Sequence, residues 1–346
     1  MVRAVPPTAA ISPREGLNVE NVDFQQQDGP VQPQQQPGEI MPDWSLPDWM
    51  QPQRPVAPDP ASLRKYRRNS LVAGILSLVG AIALPVAAVV IVMLAILVIA
   101  EIAGGPMLSH QAMNAYLDNY NLSSTLMYLV MAIPVILVAG SMRKREDRAR
   151  YMGAPVLPTL SPRGFSAPTI GKVTLLAIGI QYATSLVFVF FILFAPDLMD
   201  AYTDLVDSSG LTDYGVLWFV STIVLPPLVE ELAFRGIATT LLLRGGAPFV
   251  VANALQALAF GTFHMDPVQG SYAFIMGFVL GYLVWHYGSL FPAVLAHAVF
   301  NLMGTFGGTV LNAVAPWLSD ATLIAGGVAL TAIALVLIAK DDGRRG

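Results

Sequence analysis

Residues 71–100, LVAGILSLVGAIALPVAAVVIVMLAILVIA, decide the fold class of this chain. The stretch contains no charged residue. As an α-helix it would be about 45 Å long, whereas the hydrocarbon core of a bilayer is about 30 Å thick. The stretch therefore predicts a membrane-spanning helix that tilts, extends past the membrane or kinks, and Pro85 offers a site for a kink.

The composition of the whole chain agrees with a membrane protein. Of its 346 residues, 55% are hydrophobic and 12% are charged, and the mean hydropathy is +0.60. Soluble domains carry about 25% charged residues. There is no cysteine, which excludes disulfides, thiolate metal sites and cysteine nucleophiles. The small net charge of −4 indicates no nucleic-acid partner.

Seven further apolar segments follow the first one along the chain. Together they predict an all-α polytopic membrane protein with about eight transmembrane helices. The segments after residue 100 lie at about 124–140, 169–195, 212–229, 247–265, 271–286, 290–308 and 321–339.

Basic residues are distributed unevenly among the loops. They cluster before the first apolar segment (Arg64–Arg68), after the second (Arg143–Arg150) and after the last one. The alternate loops, 101–123, 196–211 and 309–320, contain no Lys or Arg. Because cytoplasmic loops carry the excess of basic residues, this alternation predicts a multi-pass cell-membrane protein with both termini in the cytoplasm.

The segment before the first helix has a different composition. Residues 1–60 contain 12 Pro and 9 Gln and predict a disordered cytoplasmic tail, with no signal peptide. Its doublet PDWSLPDWM (42–50) is either an interfacial tail segment or a docking motif for a partner. We expect three parts after the tail: residues 61–210 with about three transmembrane helices, a catalytic core at 211–310, and a last helix with a short basic tail at 311–346.

Charged residues interrupt the apolar sequence within PPLVEELAFRG, Pro226 to Gly236. A charge at bilayer depth is costly, so such residues are candidates for function. On a helix, Glu231 and Arg235 are i,i+4 neighbours and are expected to pair. The side chain of Glu230 points about 100° away from that of Glu231 around the helix, so Glu230 is available for catalysis. The two prolines just before it, Pro226 and Pro227, predict a break or kink in the helix.

Two histidine-containing clusters follow. The first is Phe260-Gly-Thr-Phe-His264, whose helix face also carries Asn253 and Gln256. Spacings of three and four residues put these side chains on one stripe, which predicts that the helix faces a cavity. The second cluster is His297-Ala-Val-Phe-Asn301, in which both polar side chains point the same way.

A helical hairpin would bring the first two clusters together. If 228–243 and 248–264 are antiparallel helices around the turn RGGAP, Glu230 and His264 lie at the same level. Glu230 could then activate water with His264 as its partner, while His297 and Asn301 donate hydrogen bonds to an oxyanion. This chemistry suits amide hydrolysis in an intramembrane cavity. The alternative to a catalytic site is a purely structural role, in which these polar side chains only hold the helices together.

The three clusters resemble the motifs of a known family. EELAFRG, FGTFH and HAVFN are similar to EExxxR, FxxxH and HxxxN of the CAAX protease and bacteriocin-processing (Abi) family of intramembrane endopeptidases, which includes the type II CAAX prenyl endopeptidases. The resemblance covers residues 212–308. It implies a helical membrane core with Glu230 as water-activating base. The positions carried over are catalytic Glu230, His264, His297 and Asn301 and supporting Glu231, Arg235 and Phe260.

The residues favour no cofactor, with a zinc site formed by Glu230, His264 and His297 as the alternative. The expected substrate is a membrane-associated peptide or protein, and the bilayer is the other partner. Two other functions stay open: a non-catalytic bacteriocin-immunity or scaffolding membrane protein, and a small-solute transporter with a Glu–His proton relay.

Overall fold

The computed structural model describes residues 57–162, 165–208 and 214–341, which belong to one compact unit. Most of the predicted N-terminal tail, including its tryptophan doublet, lies outside the described residues, as do Arg344 and Arg345. Within the described ranges the secondary structure is helical.

The helices follow one another with short connections. The first six are α1 (Pro60–Leu117), α2 (Tyr120–Arg143), α3 (Glu146–Tyr151), α4 (Ala167–Ala183), α5 (Ser185–Phe194) and α6 (Pro196–Ser208). The others are α7 (Val216–Arg244), α8 (Phe249–Phe263), α9 (Pro267–Tyr287), α10 (Phe291–Val314) and α11 (Asp320–Ala339).

Seven helical segments in the described residues are long and apolar enough to cross a membrane: α1, α2, α4 with α5, α7, α9, α10 and α11. The prediction of an all-α polytopic membrane protein is confirmed, but the number of spanning helices differs from eight. The apolar segment at 247–265 forms α8, which has only 15 residues. At 1.5 Å per residue it is about 22 Å long and too short to span a hydrocarbon core of about 30 Å.

Helix α1 is interrupted beyond the apolar stretch and not at Pro85, the site that the sequence offers for a kink. The backbone keeps helical dihedral angles through Pro85 and leaves them at Gly105, where φ is 73° and ψ is −165°. Pro106 follows directly and disfavours helical dihedral angles in the residue before it. Glycine accepts the positive φ without a steric cost, so the pair Gly105-Pro106 forms the break.

The helix that carries the two glutamates, α7, is continuous. Of the predicted break or kink at Pro226 and Pro227, the break does not occur. Helix α7 widens into π-helical turns instead, at Phe219–Val224 before the prolines and at Leu232–Ala238 after the glutamates. Extra residues in such turns relieve the clash of a proline ring with the preceding turn without ending the helix.

Helix α7 lies at the centre of the bundle, against α1, α2, α8 and α10. Half of its most apolar stretch is buried inside the protein, whereas only 11% of the corresponding stretch of α1 is buried. Side chains such as Ile91, Leu94 and Ile99 of α1 are exposed, as expected for a helix that faces lipid. The polar residues of α7 therefore lie in the interior of the bundle.

Candidate active site

Glu230 and Glu231 lie next to each other in the buried centre of α7, with exposures of 1% and 0%. Oε1 of Glu231 accepts a hydrogen bond from Nη1 of Arg235 at 2.9 Å, one helical turn later. The ion pair predicted from the i,i+4 spacing is therefore present. A buried carboxylate is costly without such a partner, so this pair fixes where Glu231 lies.

His297 of α10 lies between the two glutamates. Its Nδ1 is 2.8 Å from Oε1 of Glu231, and its Nε2 is 3.7 Å from Oε2 of Glu230. Glu231 thus orients the imidazole so that its other nitrogen faces Glu230. The charges of the two glutamates, Arg235 and His297 cancel when the cluster holds one proton shared between Glu230 and His297.

Tyr128 of α2 supplies the second partner of Glu230, to whose Oε1 its hydroxyl donates a hydrogen bond. The three sequence motifs do not include this residue. A sequence signal exists nevertheless: Asn121, Ser124 and Thr125 share a helical face with Tyr128, and all four are buried. A polar stripe on an apolar helix indicates that this face of α2 contacts other polar groups.

Asn301 lies one turn after His297 and is bonded to the backbone of α7. Its Nδ2 donates to the carbonyl oxygen of Thr222 at 2.9 Å. In a regular α-helix this carbonyl would accept from residue 226, and in a π-helical turn from residue 227. Both are prolines, which have no N–H. Asn301 therefore satisfies a backbone group that the proline pair leaves without a partner.

Phe260 of α8 connects the ion pair to both histidines and is fully buried. The guanidinium carbon of Arg235 lies 4.1 Å from the centroid of its ring, in cation–π geometry. The rings of His264 and His297 lie edge-on to it, with centroids at 5.2 and 5.9 Å. The two imidazoles thus approach the site from α8 and α10 around one aromatic ring.

His264 does not form the predicted pair with Glu230. Among the described residues, His264 has no hydrogen bond or ion pair with Glu230, whose neighbours are Tyr128 and His297. The half-buried imidazole of His264 packs instead against Phe260 and Phe263, at 5.2 and 5.3 Å. The imidazole that faces Glu230 comes from α10, a helix that the hairpin argument did not include.

The other two residues of the polar stripe on α8, Asn253 and Gln256, are fully buried and bond to the neighbouring helix. Nε2 of Gln256 donates to the carbonyl of Gly277 at 2.9 Å and to Oδ1 of Asn253 at 2.7 Å. Nδ2 of Asn253 donates to the carbonyl of Phe278 at 2.9 Å. The two bonds to the carbonyls of Gly277 and Phe278 reach the backbone of α9 and hold α8 against it.

The alternative zinc site was tested against the arrangement of its predicted ligands. In the described part of the chain, no group of three or more His, Asp or Glu side chains is placed to hold a metal ion. His264 packs against aromatic rings and forms no hydrogen bond or ion pair with Glu230 in the described residues. Glu230, His264 and His297 do not fit a zinc ion in this arrangement, and no step is derived through one.

The spanning helices and the buried carboxylate–imidazole cluster define an integral membrane protein with a polar site in its interior. Residues 212–303, which contain all three motifs, match the family of the type II CAAX prenyl endopeptidases, Rce1-like. The match confirms the resemblance to the CAAX protease family and supports a membrane protease in general terms. It covers less than a third of the chain. No curated protein and no solved structure was found to match.

Proposed function

We propose that the protein is an intramembrane endopeptidase that hydrolyses a peptide bond in a membrane-associated peptide or protein. The observation that carries the proposal is the position of His297, which is oriented by Glu231 and has Nε2 3.7 Å from Oε2 of Glu230. A carboxylate and an imidazole at this separation can both contact one water molecule, which places a base and a hydrogen-bond donor at the same reacting centre.

Glu230 is the base in this mechanism. Tyr128 holds its Oε1, so Oε2 is the oxygen that takes a proton from the attacking water. The water oxygen forms a bond to the carbonyl carbon of the substrate, and negative charge develops on the carbonyl oxygen. When the C–N bond breaks, the proton on Glu230 goes to the leaving amine, which balances the reaction without a covalent enzyme intermediate.

His297 and Asn301 stabilise the developing oxyanion. With the shared proton on His297, its Nε2–H is a donor at the site, and its Nδ1–H remains bonded to Glu231. Asn301 uses one N–H for the Thr222 carbonyl and has a second N–H for the substrate. His264 is the second imidazole beside Phe260, and we assign it the relay of the Glu230 proton to the leaving amine.

Glu231, Arg235 and Phe260 position these groups rather than react. Arg235 neutralises Glu231, Glu231 fixes the tautomer and orientation of His297, and Phe260 packs under the guanidinium. Such supporting contacts hold catalytic groups within the narrow geometry that the transition state requires. The substrate reaches this cluster between spanning helices, which favours a peptide or protein already in the bilayer.

The test compares native protein with Glu230→Gln, which keeps the shape of the side chain and removes the base. Both are reconstituted in membranes, and released peptides are identified by mass spectrometry. General acid–base catalysis contributes about 10²–10⁴-fold, so cleavage by Glu230→Gln should fall by at least that amount. His264→Ala should also abolish cleavage. Glu146→Gln, which removes the same charge from the start of α3, outside the site, should leave cleavage unchanged.

A non-catalytic immunity or scaffolding protein is the second candidate. It is favoured by one observation, namely that Asn301 and the Glu231–Arg235 pair satisfy buried groups within the bundle and so also serve helix packing. Such a protein would keep protecting the cell or binding its partner after Glu230→Gln. Full cleavage by folded Glu230→Gln would refute the proposed mechanism.

A further inference from the structure

A polar cavity lies far from the two glutamates of the candidate active site. It has a volume of about 460 Å³ and lies where the start of α1, the end of α2 and the end of α7 meet. Arg244, at the end of α7, is fourteen residues after Glu230. At 1.5 Å per residue the two are separated by about 21 Å along the helix, so this cavity is distinct from the candidate active site.

The cavity is lined by basic residues: Lys65 of α1, Arg145 and Arg148 after α2, and Arg244. Within the described chain, none of its lining residues is acidic. The carboxylate of Glu146, a residue between Arg145 and Arg148 in sequence, is bonded to Arg143 at 2.9 Å. Four positive charges around one cavity without an acidic lining residue favour an anionic ligand.

Arg244 is the buried member of this set. Its exposure is 6%, and its Nε donates to the carbonyl of Pro155 at 2.8 Å. Its Nη2 is buried and has no hydrogen-bond partner among the described residues. Leaving a buried guanidinium N–H unpaired is costly, and the planar donor group matches the oxygens of a phosphate. Arg244 therefore indicates a ligand that supplies oxygen acceptors inside the cavity.

Neutral side chains make the cavity amphipathic. Asn69, Ser70 and Ser141 can hydrogen-bond a ligand, whereas Ala73 and Leu241 offer apolar surface. Apart from Arg145 and Arg148, the lining residues lie at the ends of three helices that are long enough to span a membrane. This places the cavity at the level where lipid headgroups meet acyl chains, at the side that the loop charges predict to be cytoplasmic.

We propose that this cavity binds a phosphate-bearing anion, with Arg244 as its buried anchor and Lys65, Arg145 and Arg148 as its outer contacts. The phosphate has two sources at this level, the headgroup of an anionic phospholipid and free phosphate in the cytoplasm. Both present the same oxygens to the guanidinium groups.

The experiment measures binding in nanodiscs by thermal unfolding and native mass spectrometry. One arm compares phosphatidylcholine alone with phosphatidylcholine containing phosphatidylglycerol. The other adds inorganic phosphate to the phosphatidylcholine discs, with chloride at equal ionic strength as reference. The test variant is Arg145→Gln with Arg148→Gln, two exposed positions whose substitution leaves the buried Arg244 in place. The matched control is Arg64→Gln with Arg68→Gln, which are exposed on α1 outside the cavity.

The native protein should be stabilised in at least one arm, and that arm identifies the source of the phosphate. The Arg145/Arg148 variant should bind at least tenfold more weakly, since each basic residue near an anionic headgroup contributes about a fivefold effect. The Arg64/Arg68 control should remain within about twofold of native, because these residues do not line the cavity. An equal loss in both variants would show general surface attraction and overturn the proposal, as would the absence of stabilisation in both arms.

Discussion

At Gly281 of α9, a single added methyl group should disturb the packing of α8, the helix that carries Phe260. A Cβ at residue 281 would lie 1.8 Å from Oδ1 of Asn253 and 2.8 Å from Nε2 of Gln256. No real Cβ tolerates such contacts, so in Gly281→Ala the Asn253 amide must leave its place. It would lose its bond to the carbonyl of Phe278, which holds α8 against α9, and the bond that it accepts from Gln256 within α8.

The expected cost follows from these two bonds. Each contributes about 0.5–1.5 kcal/mol, and a buried amide without partners costs about 1–3 kcal/mol. Alanine is a better helix former than glycine by about 1 kcal/mol, which offsets part of the loss. We therefore expect a net loss of about 1–5 kcal/mol. Cleavage should also fall, because α8 carries Phe260 and His264 of the site.

The assay is thermal unfolding of purified protein in nanodiscs, with Gly80→Ala as the matched control. Gly80 is exposed on α1, and a Cβ there would meet nothing within 4 Å. The same substitution should leave Gly80→Ala as stable as native or more so, while the Tm of Gly281→Ala falls by several degrees. Equal Tm values for the two variants would refute the packing of α8 on α9 described here.

Three further predictions concern single side chains. Arg235→Met should destabilise the protein by about 3–5 kcal/mol, measured by unfolding, because its glutamate partner stays buried without a counter-ion; native stability would contradict the ion pair. Tyr128→Phe should lower kcat about 10- to 100-fold and lower Tm by a few degrees, because it loses a hydrogen bond to a charged group worth about 1.5–3 kcal/mol. Tyr116→Phe, at a buried tyrosine of α1, is the control and should keep the native kcat. Equal rates in the two variants would exclude a positioning role for Tyr128. For Asp341, burial raises the pKa, but hydrogen bonds from Lys172 and a tyrosine outweigh this and hold the pKa below its usual value. This stabilisation is present above the unfolded pKa of about 3.9 and is lost as pH falls through the folded pKa, so Asp341→Asn should show a weaker loss of Tm in acid than native protein.

The local parts of the site were predictable from the sequence. The pair of Glu231 and Arg235 follows from helical spacing alone, and so does the placement of His297 and Asn301 on one face. The contact between His297 and Glu231 joins residues 66 positions apart, and that between Tyr128 and Glu230 joins residues 102 apart. Such contacts depend on how helices pack, which periodicity does not determine.

The backbone irregularities were predictable in kind but not in place. Proline correctly indicated distortion, yet Pro85 remains helical, while the break lies at Gly105, where a glycine precedes a proline. At Pro226 and Pro227 the surrounding helix absorbs the distortion in π-helical turns, and Asn301 takes up the freed carbonyl. Whether a proline breaks a helix depends on partners from other helices, which the local sequence does not show.

The most direct test of the central claim measures hydrolysis itself in water enriched in ¹⁸O. Native protein and Glu230→Gln are reconstituted with membrane proteins, and the released peptides are analysed by mass spectrometry. The account predicts that native protein releases peptides whose new carboxyl termini carry one ¹⁸O atom, and that Glu230→Gln releases none above background. The same labelled peptides from both proteins, at equal rates, would contradict the assignment of Glu230 as the base.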